Sequence, residues 1–152
     1  MTPLVVSWGG GVNSTAMLIG MQQRGITPDL ILFADTGGEK PDTYTFRERF
    51  QSWLFHADFP PIHTVYNDGV YGELENECIS KHTLPSIAFG FKSCSDKYKR
   101  RPQEKILQDY YPGLPIRMAI GFDAGEQRRA TYGTQNNRLY WFPLIEWNWD
   151  RE

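Results

Sequence analysis

The stretch with the clearest capacity for chemistry is Leu4-Val5-Val6-Ser7-Trp8-Gly9-Gly10-Gly11-Val12-Asn13-Ser14-Thr15, a short apolar run that breaks into three glycines and then small polar residues. Backbone N–H groups in a glycine turn can converge on phosphate oxygens, and a helix starting there turns the positive end of its dipole to the same charge. Gly9, Gly10 and Gly11 permit close approach of the main chain, while Ser7, Asn13, Ser14 and Thr15 offer side-chain hydrogen bonds without a lysine. Glycines alone could equally make a tight turn before a capped helix, and the spacing is neither Walker A nor GxGxxG.

Other groups could serve the same anion. Asp35 follows a second apolar run, where a carboxylate can bind a ribose hydroxyl or a hydrated Mg ion, or merely cap the next turn. Lys97, Lys99, Arg100 and Arg101 gather positive charge; such a cluster is usually a solvated helix face, but closure over a phosphate would bring Lys97 and Lys99 into use. Of Arg128 and Arg129, one can make a bidentate phosphate contact while Glu126 holds it or a metal, and the other belongs at the surface. Cys78 and Cys94 lack metal or CxxC spacing, and His56, His63 and His82 have no spacing that marks a base, so structural roles are expected for them.

The elements that must position these groups follow from the apolar pattern. Leu4–Ser7 reads as a buried strand; Ser14–Arg24 reads as a helix with Asn13 as N-cap and Gly25 and Pro28 as its stop. Leu30–Ala34 is a second buried strand, ending in Asp35-Thr36-Gly37-Gly38, and Pro41 opens a helix to about Leu54. Ile62–Tyr66 and Met118-Ala119-Ile120 are further strands, and Pro102–Tyr110 a further helix. Strands interleaved with helices imply a mainly parallel sheet, with binding at the carboxyl ends of the strands. Asn67–Arg101 has weak periodicity and reads as an insertion or lid with one short helix. Leu139–Leu144 resembles another strand, after which Ile145–Glu152 shows no recognisable closing helix, as in a minimal protein or a fragment.

Ser7–Ser14 resembles the pyrophosphate loop of the adenine nucleotide alpha-hydrolase (PP-loop ATP pyrophosphatase) superfamily, usually SGGxDS after the first strand: Gly10, Gly11 and Ser14 match, Gly9 replaces the serine and Asn13 the aspartate. Three more segments resemble the phosphoadenosine phosphosulfate reductase-like branch. They are Phe33-Ala34-Asp35-Thr36-Gly37, which stands where the branch contacts adenosine; Cys94 to Lys99 with Pro102, similar to CxxKxKxxP; and Ile120 to Arg129, similar to G-x-R-x-[DE]-x-x-x-R with Asp123 in place of arginine. The resemblance runs in order from Leu4 to Trp147. It implies an α/β fold, a Rossmann-like three-layer sandwich with a mainly parallel sheet, spanning residues 1–152 as one domain. It also implies binding of ATP or a related adenine nucleotide with Mg, and cleavage between the α- and β-phosphates.

In that reading Lys97, Arg128 and Glu126 are catalytic, Asp35 is the metal ligand, and the nucleotide is held by Ser7, Gly9, Gly10, Gly11, Asn13, Ser14, Thr15, Ala34, Asp35, Thr36, Gly37, Lys99, Gly121, Asp123 and Arg129. The branch's reductases use a cysteine in a C-terminal segment; none follows Cys94 here, so reductase activity is the less expected outcome. A module that binds adenine nucleotide without turnover, or a subunit of a larger complex, is the alternative.

Bulk properties agree with an enzyme or binding domain acting on a small anion. With 16 Lys plus Arg against 18 Asp plus Glu, the net charge of -2 indicates no general polyanion surface, so a nucleic-acid partner is not indicated. No window is apolar enough to span a bilayer, no leader is evident, and two unpaired thiols suit a reducing compartment, so a cytoplasmic protein is expected. Trp141, Trp147 and Trp149 crowd the C-terminus, for packing against a neighbouring element or a partner or acceptor.

Overall fold

The computed structural model describes residues 2–35, 37, 40–66, 100–130, 134–135 and 137–151. The strands are β1 (Leu4–Ser7), β2 (Leu30–Asp35), β3 (Ile62–Tyr66), β4 (Ile116–Ala119), β5 (Thr134–Gln135) and β6 (Arg138–Trp141). The helices are α1 (Val12–Gln23), α2 (Pro41–His56), α3 (Arg101–Tyr110) and α4 (Pro143–Glu146), with a 3-10 segment at Ala124–Arg129. In space the strands lie in the order β3-β2-β1-β4-β6-β5. Five run parallel, and the two-residue β5 is antiparallel to β6 at one edge.

The alternation of side chains along an extended chain distributes the apolar runs to both faces of the sheet. Leu4, Val6, Ile31 and Phe33 point into one core with Met17, Leu18 and Met21 of α1 and Phe50 and Leu54 of α2. Val5, Leu30, Leu32 and Ala34 point into the other, against Leu107 of α3, Ile116 and Met118. The result is a three-layer, Rossmann-like α/β fold. No helix among the described residues is long and apolar enough to cross a membrane.

Several boundaries differ from the sequence expectation. α1 begins at Val12, with Gly11 rather than Asn13 as N-cap, because the turn is completed within the glycines and Asn13 is already helical. β4 starts earlier than expected, directly after Pro115, and β6 ends at Trp141 rather than running to Leu144. Pro143 has no N–H for a ladder but suits the first turn of a helix, so it opens α4, a closing helical turn that the sequence reading missed. The proposed lid and its short helix lie outside the described residues except Arg100 and Arg101, and Arg101 belongs to α3.

α4 returns Trp147 and Trp149 onto α1. Both rings lie against Gly20, where an added Cβ would come within 2.5 Å of Trp147 Cζ3 and 3.0 Å of Trp149 Cζ3. The Arg24 guanidinium stacks 4.0 Å from the Trp147 ring centre and 5.0 Å from that of Trp149. Two effects of Gly20→Ala therefore oppose each other: helix propensity favours alanine by about 1 kcal/mol, whereas overpacking against rigid rings costs about 1–3 kcal/mol. The clash should win, so thermal denaturation of Gly20→Ala is expected to show a lower melting temperature. A higher one would mean that the tryptophans are loosely seated.

Candidate functional site

The strand order reverses beside β1: β2 and β3 lie on one side, β4 and β6 on the other. A crevice opens at such a switch point, outside the carboxyl ends of the strands. Here it is a cavity of about 280 Å³ lined by Ser7, Trp8 and Gly9 after β1, Phe33 and Ala34 of β2, Met118, Ile120 and Phe122 around the end of β4, Tyr140 of β6, and Arg100, Gln103, Glu104 and Arg129. β1 ends opposite Leu32, and the Trp8 amide makes the next bond, to the Leu32 carbonyl at 2.8 Å. β2 runs on to Asp35, so its last residues extend beyond β1 towards this opening.

The loop is braced from within. The Gly9 amide donates to Ser14 Oγ (3.1 Å), and the Trp8 indole Nε1 donates to Thr15 Oγ1 (3.0 Å). Each hydroxyl thus acts as an acceptor inside the loop and keeps its own proton for donation. Trp8 itself is buried, stacking on Phe50 and Phe46 of α2 and edge-on to Phe33. Gly10 has φ +80, and an added Cβ would meet the Thr43 methyl at 2.7 Å. A Cβ at Gly9 or Gly11 would meet nothing within 4 Å. No side chain caps α1, so its leading amides, from Gly11 to Ser14, are left for another acceptor.

Two expected nucleotide ligands turn elsewhere. Asn13 Nδ2 donates to Asp123 Oδ2 at 3.3 Å, and Arg151 Nε donates to Asn13 Oδ1 at 3.5 Å. Asp123 is buried, accepts the Gly125 amide through Oδ1 (2.9 Å), and lies 4.0 Å from Arg151 Nε. Both residues line a second cleft, beside Trp149 and Arg151, rather than the cavity. A short polar side chain at the second position of a helix points along that helix's own surface, and Asp123 is what this surface meets.

Gly121 is a packing residue: an added Cβ would lie 3.0 Å from the Ser14 backbone, so only glycine lets the chain after β4 close against α1. Asp35 Oδ1 accepts the Gly37 amide and the Tyr44 hydroxyl, both at 2.8 Å, so it organises the turn after β2. Among the described residues no three His, Cys, Asp or Glu side chains group as metal ligands do. Glu126 Oε1 pairs with Arg129 Nη1 at 3.4 Å. Both arginines are exposed, but Arg129, its side chain 60% accessible, stands at the cavity's rim with its guanidinium 4.5 Å from the Phe122 ring centre, whereas Arg128 does not line the cavity. A 3-10 segment turns successive residues about a third of a circle apart, so the adjacent arginines leave it in different directions. Thr36, Lys97 and Lys99 lie outside the described residues.

Sequence reasoning missed Gln103, Glu104 and the aromatic walls. Glu104 forms a two-pronged pair with Arg138, at 2.8 Å and 3.4 Å, which ties the start of α3 to β6. Nothing local in the sequence pairs residues 34 positions apart. Gln103 carried one signal, a polar residue one turn before the buried Leu107. Away from the cavity, burial, and then the Asp29 carboxylate and Tyr110, push the Tyr111 hydroxyl up.

No family model matches this sequence, and no curated protein matches it. The structure is similar to that of phosphoadenylyl-sulfate (PAPS) reductase from Candida auris in a phosphate complex, with a TM-score of 0.62 and 17% identity. The match covers 99% of this chain and 68% of the reductase. The likeness is one of fold: both chains share the Rossmann-like α/β architecture.

Proposed function

We propose that this chain is a member of the PP-loop superfamily that binds ATP and cleaves it between the α- and β-phosphates, releasing pyrophosphate and passing adenylate to an acceptor, with water taking its place, to give AMP, when no other acceptor is present. The observation that carries the reading is the uncapped start of α1, with Gly9 and Gly11 facing open space at the mouth of an aromatic-walled cavity. The adenine and ribose occupy the cavity between β2 and Phe122, and the phosphates lie over Gly9–Gly11. There the loop amides, the Ser14 hydroxyl proton and the Arg129 guanidinium offset charge on the leaving pyrophosphate. Lys97 and Lys99 are assigned to the same anion by the motif they resemble.

A Mg ion fits this site as one held chiefly by substrate phosphates, the usual arrangement for that ion. Asp35 Oδ2, which makes no hydrogen bond among the described residues, is the protein ligand proposed for it, and the ion's contribution when bound is to neutralise phosphate charge. A second reading, nucleotide binding without turnover, draws on Asn13 and Asp123, which are committed to each other rather than to the cavity.

Incubation of the purified chain with Mg and ATP, resolving AMP and pyrophosphate from ADP and phosphate, tests both. Pyrophosphate and AMP in the wild type, lost in Ser14→Ala, Lys97→Ala and Arg129→Ala, is the expected result. Saturable ATP binding without products would favour the second reading, and absence of binding would sink the site.

A further inference from the structure

Among the described residues of the cavity wall, the long polar side chain of Gln103 stands without a role. α3 enters at the carboxyl edge of the sheet, so its first turn overlooks the cavity while Leu107, one turn later, is fully buried against Val5, Leu32, Ala34 and Met118. Gln103 and Leu107 share a helix face, which places Gln103 above the strand ends, at the cavity wall. The neighbouring Glu104–Arg138 pair fixes this turn in place. Gln103 is half-buried, yet it makes no hydrogen bond among the described residues.

The other polar side chains of the wall have narrower capacities. Arg100 and Arg129 can only donate, Glu104 is engaged by Arg138, and Ser7 and Tyr140 present single hydroxyls. A carboxamide alone offers a donor and an acceptor side by side in one plane, the pattern that matches adjacent ring nitrogen and exocyclic amine positions of adenine.

We propose that Gln103 reads the nucleobase edge in this cavity and sets the preference for adenine; this rests on the nucleotide-site reading above. Gln103→Glu keeps the shape but can only accept. Adenine then loses its donor at the ring nitrogen, whereas guanine, with N–H groups at N1 and N2, gains a partner. Gln103→Leu removes both functions and should help neither base.

The test is titration calorimetry of the full chain with ATP and with GTP in the presence of Mg, for the wild type, Gln103→Glu, Gln103→Leu and Ser14→Ala, with thermal melting to confirm folding. The wild type is expected to prefer ATP. ATP affinity should fall about tenfold in both Gln103 variants, the loss of a hydrogen bond. Both Gln103 variants should therefore narrow the ATP-to-GTP ratio, only Gln103→Glu should also raise GTP affinity and so reverse it, and Ser14→Ala should weaken both nucleotides together. Wild-type ratios and affinities in both Gln103 variants would overturn the assignment while leaving the nucleotide site intact. A folded wild type that binds neither nucleotide would overturn the site reading, and this proposal with it. Should Gln103→Glu fail to fold, Gln103→Leu with an unchanged ATP affinity suffices to overturn the proposal.

Discussion

Glu104→Ala is expected to destabilise the chain by about 3 kcal/mol, the low end of the cost of stranding a buried charge, whereas Arg138→Met should cost far less. The asymmetry comes from burial. The Arg138 side chain is 4% exposed and that of Glu104 32%. Removing Glu104 leaves a guanidinium inside the protein with no counter-charge, and arginine cannot shed its proton to escape. Removing Arg138 leaves a carboxylate that can turn to water, with methionine filling the vacated space. Chemical denaturation of the two variants decides the matter, and equal losses would mean that the pair contributes only packing. Since Glu104 also anchors the first turn of α3, the alanine variant should bind nucleotide more weakly even where it remains folded.

Gly10→Ala is expected to lower nucleotide affinity by about a hundredfold, the scale on which small misplacements of positioning groups act, with a loss of stability as well. Two independent features require glycine there. A positive φ costs an L-residue about 1–2 kcal/mol, and the new methyl would press on Thr43 Cγ2 at 2.7 Å. The loop would shift and its amides would lose their common aim. Adding Thr43→Ser removes the methyl but not the backbone strain, so the double variant should recover part of the stability. Gly9→Ala and Gly11→Ala provide the contrast. Among the described residues they meet no atom within 4 Å, so their stability should stay within about 0.5 kcal/mol of the wild type, while binding falls if phosphate approaches the main chain there. Calorimetric titration beside thermal melting separates the two effects. A Gly10→Ala chain with wild-type affinity would remove the loop from the site.

The legible parts of this protein are those with local causes. Leu4–Ser7 and Leu30–Asp35 announce themselves as strands because short runs of apolar residues can be buried on both faces only in a covered parallel sheet. Gly25 ends α1 with φ +69, as its position before Pro28 suggested, because a helix is stopped by backbone geometry that glycine alone adopts cheaply. Gly10 was visible for the same reason. Asn13 was misread as a cap because the preceding glycines can close the turn unaided, and which of two residues starts a helix depends on small differences. β6 stops at Trp141, short of the Leu144 that its apolar run suggests, because Pro143 cannot donate to a ladder and opens a helical turn instead.

The sequence by itself determined the alternation of strands and helices and the glycine turn after β1. These depend on side-chain periodicity and on what a glycine backbone permits over a few residues. The tertiary structure alone decided that Asn13 faces Asp123, that Arg129 rather than Arg128 stands at the cavity's rim, that Arg138 pins Glu104, and that Gln103 overlooks the strand ends. Those outcomes depend on where residues far apart in the chain meet, and on which side of a helix turns inward, and both are set by packing across three layers.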